Sequence, residues 1–230
     1  MLEKLKQDVY KANIDLVKAG LVLLTWGNVS GYDAQTGYVV IKPSGIGYDK
    51  MTPADMVVVD VDGHVIEGDL NPSSDTPTHL EIYRAFSGIF AVCHTHSKWA
   101  TAYAQACKDI PCLGTTQADH FFGDIPCTRR LKKDEIDTDY EKNMGKVIVE
   151  TFLKRNINPL DISGAIVANH GPFTWGSSLQ KAVENSVVLE YVAHMDYIAK
   201  HLNESADMQK ELIDKHYLRK HGSDAYYGQK

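Results

Sequence analysis

The chain has 230 residues, of which 43% are hydrophobic and 23% are charged, and these proportions exclude a mainly disordered protein. Thirty acidic residues against 24 basic ones give a net charge of −6, which argues against nucleic acid or an acidic membrane as the main partner. The N-terminal segment lacks the apolar core of a signal peptide, no segment reaches transmembrane length and no CxxC pair is present. We therefore expect a cytoplasmic protein with reduced cysteines.

The hydrophobic pattern predicts alternating helices and strands along the chain. Helical spacing of apolar residues over 2–16, with Gly20 as a stop, predicts a first amphipathic helix. Short runs separated by glycines then predict strands at 38–41, 56–61 and 64–67, and longer apolar runs predict buried strands at 89–93 and 164–168. Further helices are predicted at 77–86, 99–107, 133–154 and 178–200. Without repeats or linkers, the pattern indicates one α/β domain over residues 1–230.

Histidines follow both predicted buried strands. His94 and His96 come directly after 89–93, and because side chains alternate along a strand, both point to the same face. His170 follows the strand at 164–168 and lies beside this pair if both strands end at the same edge of the sheet. Three such imidazoles bind zinc or a similar transition metal and leave a position open for catalysis. Cys93 is a less suitable ligand, since it should face away from His94 as a buried structural thiol.

Three polar loops, at 25–30, 42–45 and 71–77, are rich in small hydrogen-bond donors. Gly, Ser and Asn let backbone amides approach a phosphate closely, and a lysine or a helix N-terminus adds positive potential. None of the loops matches a P-loop or a dinucleotide fingerprint. The residues alone therefore favour ordinary turns and caps, with Asp75 or Thr76 as an N-cap and Pro77 in the first helical turn.

An ordered set of motifs runs through the chain: Gly27-Asn28, Lys42-Pro43-Ser44-Gly45, Ser73-Ser74-Asp75-Thr76-Pro77, His94-Thr95-His96-Ser97, His170-Gly171-Pro172 and a tail from His216-Tyr217-Leu218 to Tyr226-Tyr227-Gly228-Gln229. Together these motifs resemble the class II aldolase and epimerase family, and most closely its members that epimerise L-ribulose 5-phosphate at C4. The resemblance implies a single-domain α/β/α sandwich around a central, mostly antiparallel sheet. It also implies that the tail, residues 205–230, contributes to the active site.

The resemblance further implies a ligand set and a reaction. A divalent metal, most often zinc, is assigned to Asp75, His94, His96 and His170. The substrate phosphate and nearby hydroxyls are assigned to Gly27, Asn28, Ser44, Gly45, Ser73 and Ser74. The implied reaction is retro-aldol cleavage of the C3–C4 bond of L-ribulose 5-phosphate, rotation of the aldehyde and re-formation of the bond as D-xylulose 5-phosphate. This is a step of pentose catabolism, in an arabinose, ascorbate or other route.

Epimerisation at C4 needs one proton-transfer group on each face of the aldehyde. By resemblance these catalytic groups are Asp119 and Tyr227, contributed by different subunits, so a homotetramer with active sites between subunits is implied. His216 resembles a secondary active-site position. Gln117 and His120 depart from the histidine and tyrosine that family members are expected to have beside the aspartate.

Two alternative functions remain open. One is a class II aldolase, such as fuculose-phosphate aldolase, which shares the metal and phosphate sites. By resemblance, the aldolase pattern has Glu where this chain has Asp75. Asp75 and the Tyr226-Tyr227 pair of the tail both favour the epimerase. A noncatalytic, adducin-like interaction module keeps the fold without the metal ligands, and the three intact histidines argue against it.

Overall fold

Seven strands form one sheet in the computed structural model, which describes residues 2–227 of the chain. The strands are β1 (Asn28–Asp33), β2 (Tyr38–Ile41), β3 (Val57–Val59), β4 (Val65–Glu67), β5 (Ala91–His94), β6 (Gly164–Val167) and β7 (Gly171–Gly176). Their order across the sheet is β4-β3-β2-β1-β5-β7-β6, and every pair of neighbours is antiparallel. The predicted antiparallel sheet is therefore confirmed.

Helices cover both faces of this sheet. Those within residues 2–227 are α1 (Glu3–Lys18), α2 (Thr76–Ala85), α3 (Lys98–Ala106), α4 (Thr115–Ala118), α5 (Lys133–Asp137), α6 (Tyr140–Arg155), α7 (Leu179–Leu202) and α8 (Lys210–His221). Along β5, Ala91 and Cys93 pack against α1 and α7, whereas Val92 packs against the core of α2 and α6. The predicted α/β/α sandwich follows from this alternation and is also confirmed. None of the helices in the described part of the chain is long and apolar enough to cross a membrane.

Aromatic side chains fill the core between the sheet and the α2/α6 layer. The rings of Phe86, Phe152 and Trp175 lie with their centroids 5.2 to 5.4 Å apart, and all three side chains are buried. The indole nitrogen of Trp175 donates to the carbonyl of Pro159 at 2.7 Å, so its one polar atom is satisfied. Each such burial stabilises the fold by roughly 2 to 3 kcal/mol. Strands β5 and β7, whose ends carry the histidines, therefore lie on a rigid support.

Several elements differ from the sequence prediction. Residues 28–33 form β1, although the sequence analysis places part of this segment in a polar loop. The strand was missed because the side chains that face α2, Asn28 and Ser30, are polar. Strand β7 and helix α8 are additional elements. The helix predicted at 133–154 is divided into α5 and α6, since Thr138 leaves the helical conformation with φ −111° and ψ −115°.

A carboxylate on α7 fixes the start of α3, which follows the His94-Thr95-His96 segment. Both oxygens of Glu190 accept hydrogen bonds from the backbone N–H of Trp99, and one also accepts from Ala100, at 2.9 to 3.1 Å. The first N–H groups of a helix have no partner within the helix, and they carry partial positive charge. Glu190 accepts hydrogen bonds from these N–H groups and places a negative charge beside them. It thereby connects the segment that follows β5 firmly to α7.

A second carboxyl group on α7 is buried without such partners. Asp196 is 4% exposed, and within residues 2–227 its Oδ2 has no hydrogen-bond partner. Burial and the charge of Asp124 raise the pKa of Asp196 to about 7, although the charge of Lys200 opposes them. Because the unfolded chain releases this proton near pH 4, the native state loses stability as the pH rises from about 4 to about 7.

Replacing Asp196 with asparagine is therefore expected to raise the free energy of unfolding at pH 8 by about 2 to 4 kcal/mol, and to change it little at pH 4. Urea unfolding at both pH values measures the difference. The exposed Asp207 provides the control, since Asp207→Asn makes the same chemical change without relieving a buried charge. An Asp196→Asn variant with the same pH dependence of stability as the wild type would contradict the prediction.

Candidate metal centre and active site

Three histidines meet at one end of the sheet. His94 is the last residue of β5, His96 lies just beyond it, and His170 lies in the short connection between β6 and β7. Strand β7 pairs antiparallel with β5, so the end of one strand lies beside the start of the other. The ring nitrogens of the three histidines lie within 4.8 Å of one another. The strand ends thus meet as the sequence pattern predicts.

Two glycines allow the backbone to close around His94. A Cβ atom on Gly171 would lie 2.8 Å from the carbonyl oxygen of Thr95 and 3.6 Å from the His94 ring. Gly27 adopts φ +82°, and a Cβ atom there would lie 2.9 Å from the carbonyl oxygen of His94. A larger residue at either position would push the chain away from the histidines.

The hydrogen bonds and charges of these histidines fit a divalent metal ion. The Nδ1 of His94 lies 2.9 Å from the carbonyl oxygen of Pro172, which only accepts, so Nδ1 carries the hydrogen and Nε2 presents a lone pair. Burial and neighbouring imidazoles lower the pKa of His96 and of His170, which keeps both rings neutral near pH 7. The Nε2 atoms of His94 and His170 lie 3.1 Å apart. Two nitrogen ligands of a tetrahedral zinc ion lie about 3.3 Å apart.

Asp75 lies beside the three histidines at the N-cap of α2, as the capping alternative predicts. Its side chain does not cap the helix, and its Oδ2 instead accepts a hydrogen bond of 2.6 Å from the amide of Asn28. Burial works against the charged carboxylate, but its interactions with the His94 and His79 imidazoles and the hydrogen bond from Asn28 outweigh burial and lower the pKa of Asp75. Asp75 is therefore ionised near neutrality and remains available to a cation.

The polar loops come together around a cavity of about 400 Å³ that His96 and His170 also line. The backbone N–H of Ser73 donates to the carbonyl of Lys42 at 3.0 Å, and that of Ser44 donates to Asn71 at 2.9 Å, so two loops pair with each other. All of the residues predicted to bind phosphate and hydroxyls line this cavity: Gly27, Asn28, Ser44, Gly45, Ser73 and Ser74. Small donors therefore lie close to the histidines.

Lys42 is a cavity residue that the sequence analysis did not include among the site residues. It is only 2% exposed, and in the described chain its ammonium donates one hydrogen bond, to the carbonyl of Pro43 at 3.2 Å. The ammonium also lies 5.0 Å from the ring centroid of Tyr48. Burial lowers the pKa of Lys42, although the charge of Asp75 opposes this. A buried cation with so few partners favours an anionic ligand.

Tyr140 and Glu141, at the start of α6, also line the cavity and were not predicted. The hydroxyl of Tyr140 lies 3.2 Å from the Nδ1 of His170. No motif in the sequence marks this pair, since 30 residues separate the tyrosine from the histidine. Lys42, in contrast, lies in the Lys-Pro-Ser-Gly loop, and its position there could have marked it as a site residue.

The two predicted acid/base residues both contact Arg219. Arg219 on α8 donates to both carboxylate oxygens of Asp119 at 2.8 to 3.1 Å, and its guanidinium carbon lies 4.9 Å from the Tyr227 ring centroid. Neither Asp119 nor Tyr227 is among the described residues that line the cavity. The structure places both beside Arg219 of one chain, whereas the resemblance implies two different subunits. Residues 228–230 of the predicted catalytic tail lie outside the described residues.

The surroundings of Asp119 keep its carboxylate charged. Burial alone would raise the pKa of Asp119, but hydrogen bonds from Arg219 and His216 outweigh that effect and lower it. The Nδ1 of His216 lies 3.1 Å from Oδ1 of Asp119. Gln117 is buried and donates to backbone carbonyls, while His120 lies 3.6 Å from Glu184. Asp119 therefore accepts charged hydrogen bonds from α8 instead of from these two neighbours.

Comparison with known proteins agrees with this fold. The family described as Class II Aldolase and Adducin N-terminal domain matches residues 7–197. An L-fuculose 1-phosphate aldolase is 26% identical, with a TM-score of 0.78 over 93% of this chain and 94% of its own.

Two further solved structures share the fold. YgbL from Klebsiella pneumoniae, described as a candidate aldolase, epimerase or decarboxylase, is 22% identical, with a TM-score of 0.74 over 94% of this chain and 99% of its own. The L-fuculose-1-phosphate aldolase from Thermus thermophilus is 20% identical, with a TM-score of 0.68 over 90% of this chain and 99% of its own. On the family match, this chain belongs to the class II aldolase and adducin family.

Proposed function

We propose that the protein is a metal-dependent L-ribulose-5-phosphate 4-epimerase that forms D-xylulose 5-phosphate in pentose catabolism. The observation that carries the proposal is the convergence of three imidazoles, two of which line a cavity together with small hydrogen-bond donors suited to a phosphate. The proposed metal ligands are Asp75, His94, His96 and His170, and the proposed ion is zinc because nitrogen-rich sites suit it. When bound, the cation supplies Lewis-acid stabilisation of the negative charge that develops on substrate oxygens as the C3–C4 bond breaks.

The phosphate of the substrate is proposed to lie on the loop side of the cavity. The buried ammonium of Lys42 supplies positive charge there, and the hydroxyls of Ser44 and Ser73 add donors. The backbone at Gly45 allows close approach, since open space surrounds the position where its Cβ atom would lie. With the phosphate held there, the sugar carbons extend toward the histidines.

Asp119 and Tyr227 are proposed to move the proton at the C4 oxygen, one on each face of the aldehyde. Asp119 is ionised and suits the role of base, and the tyrosine hydroxyl suits that of acid. Since neither lines the cavity in the described part of its own chain, we propose that they complete the site across a subunit interface. The proposed assembly is a cytoplasmic homotetramer. Each chain would be a single domain, 1–230, whose tail, 205–230, completes the site.

The direct test is to incubate zinc-loaded protein with L-ribulose 5-phosphate and to measure D-xylulose 5-phosphate. We expect product that disappears after treatment with a chelator and returns on addition of zinc. A parallel assay follows cleavage of L-fuculose 1-phosphate, because the 26% identical structure is an aldolase for that substrate. Cleavage without epimerisation would favour the aldolase alternative. Inactivity in both assays together with no bound metal would favour the interaction module and contradict the proposal.

A further inference from the structure

A tyrosine outside the proposed ligand set contacts one of the metal-site histidines. Tyr140 is the first residue of α6, and its hydroxyl lies 3.2 Å from the Nδ1 of His170. The two rings lie with their centroids 6.3 Å apart at an angle of 66°, so the hydroxyl approaches the imidazole edge instead of stacking on its face. The contact is therefore a directed hydrogen bond.

The partners of the three histidines differ in kind. The Nδ1 of His94 bonds to a backbone carbonyl, that of Pro172. His96 makes no hydrogen bond within residues 2–227, and its contacts are with aromatic rings. In the same described part of the chain, Tyr140 is thus the one side chain outside the trio that bonds to a ring nitrogen of these histidines. It is also the one partner that a substitution can remove.

The fold holds Tyr140 firmly in this place. Its ring packs against the main hydrophobic core, and α6 lies directly against α2. The carbonyl of Glu141 accepts a hydrogen bond from the hydroxyl of Thr78 on α2, which joins the start of α6 to the helix that follows Asp75. Motion of the tyrosine independent of the site is therefore restricted.

We infer that Tyr140 is a positioning residue that holds His170 in the tautomer and orientation needed to bind the metal. The inference rests on the proposed metal role of the three histidines. If the Nε2 of His170 presents its lone pair toward His94, its Nδ1 carries the hydrogen and donates it to the oxygen of Tyr140. An outer partner of this kind fixes the imidazole and raises its basicity as a ligand. The hydroxyl hydrogen of Tyr140 is then free to face the cavity.

The test compares zinc affinity in the wild type, in Tyr140→Phe and in Tyr103→Phe. Tyr103 is a matched control because it is also a partly buried tyrosine packed against the same core, and it does not line the cavity. Competition with a chelating dye for Zn²⁺ measures the dissociation constant, and thermal melting of the metal-free proteins reports their stability. We expect Tyr140→Phe to bind zinc about 10- to 100-fold more weakly and Tyr103→Phe to bind like the wild type.

The outcomes separate this inference from the proposed function. If the wild type binds no zinc, the proposed metal site fails. If the wild type binds zinc and Tyr140→Phe binds it within about twofold of the same affinity, the metal site stands and the role of Tyr140 is overturned. Equal weakening in Tyr140→Phe and Tyr103→Phe would also overturn it, since loss of packing would then be the cause. Activity of Tyr140→Phe that returns at saturating zinc would support positioning.

Discussion

His96→Asn is expected to lower the epimerisation rate by about a thousandfold or more and to reduce the zinc bound per subunit. A bound cation supplies several kcal/mol of charge stabilisation, and about 1.4 kcal/mol corresponds to a tenfold change in rate. Of the three histidines, His96 is the least buried, so its replacement disturbs the core least. Elemental analysis of the dialysed protein measures the metal, and the formation of D-xylulose 5-phosphate measures the rate.

His64→Asn is the matched control for this substitution. His64 is also exposed, pairs with Asp60 at 3.0 Å and does not line the cavity. Its replacement should leave both metal content and rate unchanged. Wild-type metal content and rate in His96→Asn would contradict the assignment of the histidine trio. Loss of both in the His64→Asn variant would indicate a general effect on folding.

Asp119→Asn is expected to lower kcat by a factor of about 10² to 10⁴ and to leave the zinc content unchanged. General acid–base groups contribute about this factor, and an amide cannot accept a proton at neutral pH. The substitution keeps the shape of the side chain and one acceptor oxygen for Arg219. Steady-state kinetics with metal-saturated protein isolates the catalytic step from metal binding.

Asp119 also anchors α8, so its structural role needs a control. Asp161 anchors the same helix, since its Oδ1 accepts a hydrogen bond of 3.0 Å from the hydroxyl of Tyr217. An Asp161→Asn variant weakens this attachment without touching the proposed acid–base pair. We expect it to retain most of the activity. Equal losses in both variants would assign the effect to the position of α8, and a kcat within about tenfold of wild type in Asp119→Asn would contradict its role as base.

The metal-site histidines were predictable because local rules cover them. A buried apolar strand has a marked pattern, and alternation assigns His94 to the α2/α6 face opposite to Cys93, whose Sγ lies against Ser186 of α7. Strand β1 escaped prediction because Asn28 and Ser30 face a helix layer while remaining polar. Their partners, Asp75 and His79, lie 47 and 49 residues away and hydrogen-bond to them in the interior.

The sequence by itself determined the donor types, the strands that carry them and, through the resemblance, the expectation of a class II aldolase-like sandwich. Only the tertiary structure decided the burial of Lys42, the bond from Tyr140 to His170 and the attachment of Asp119 to Arg219. Hydrophobic periodicity indicates which face of a helix or strand is buried, and it is a local pattern that spans only a few residues. It does not report which distant polar groups meet. The last of these contacts joins residues 100 positions apart, and its geometry depends on how the helices pack around the sheet.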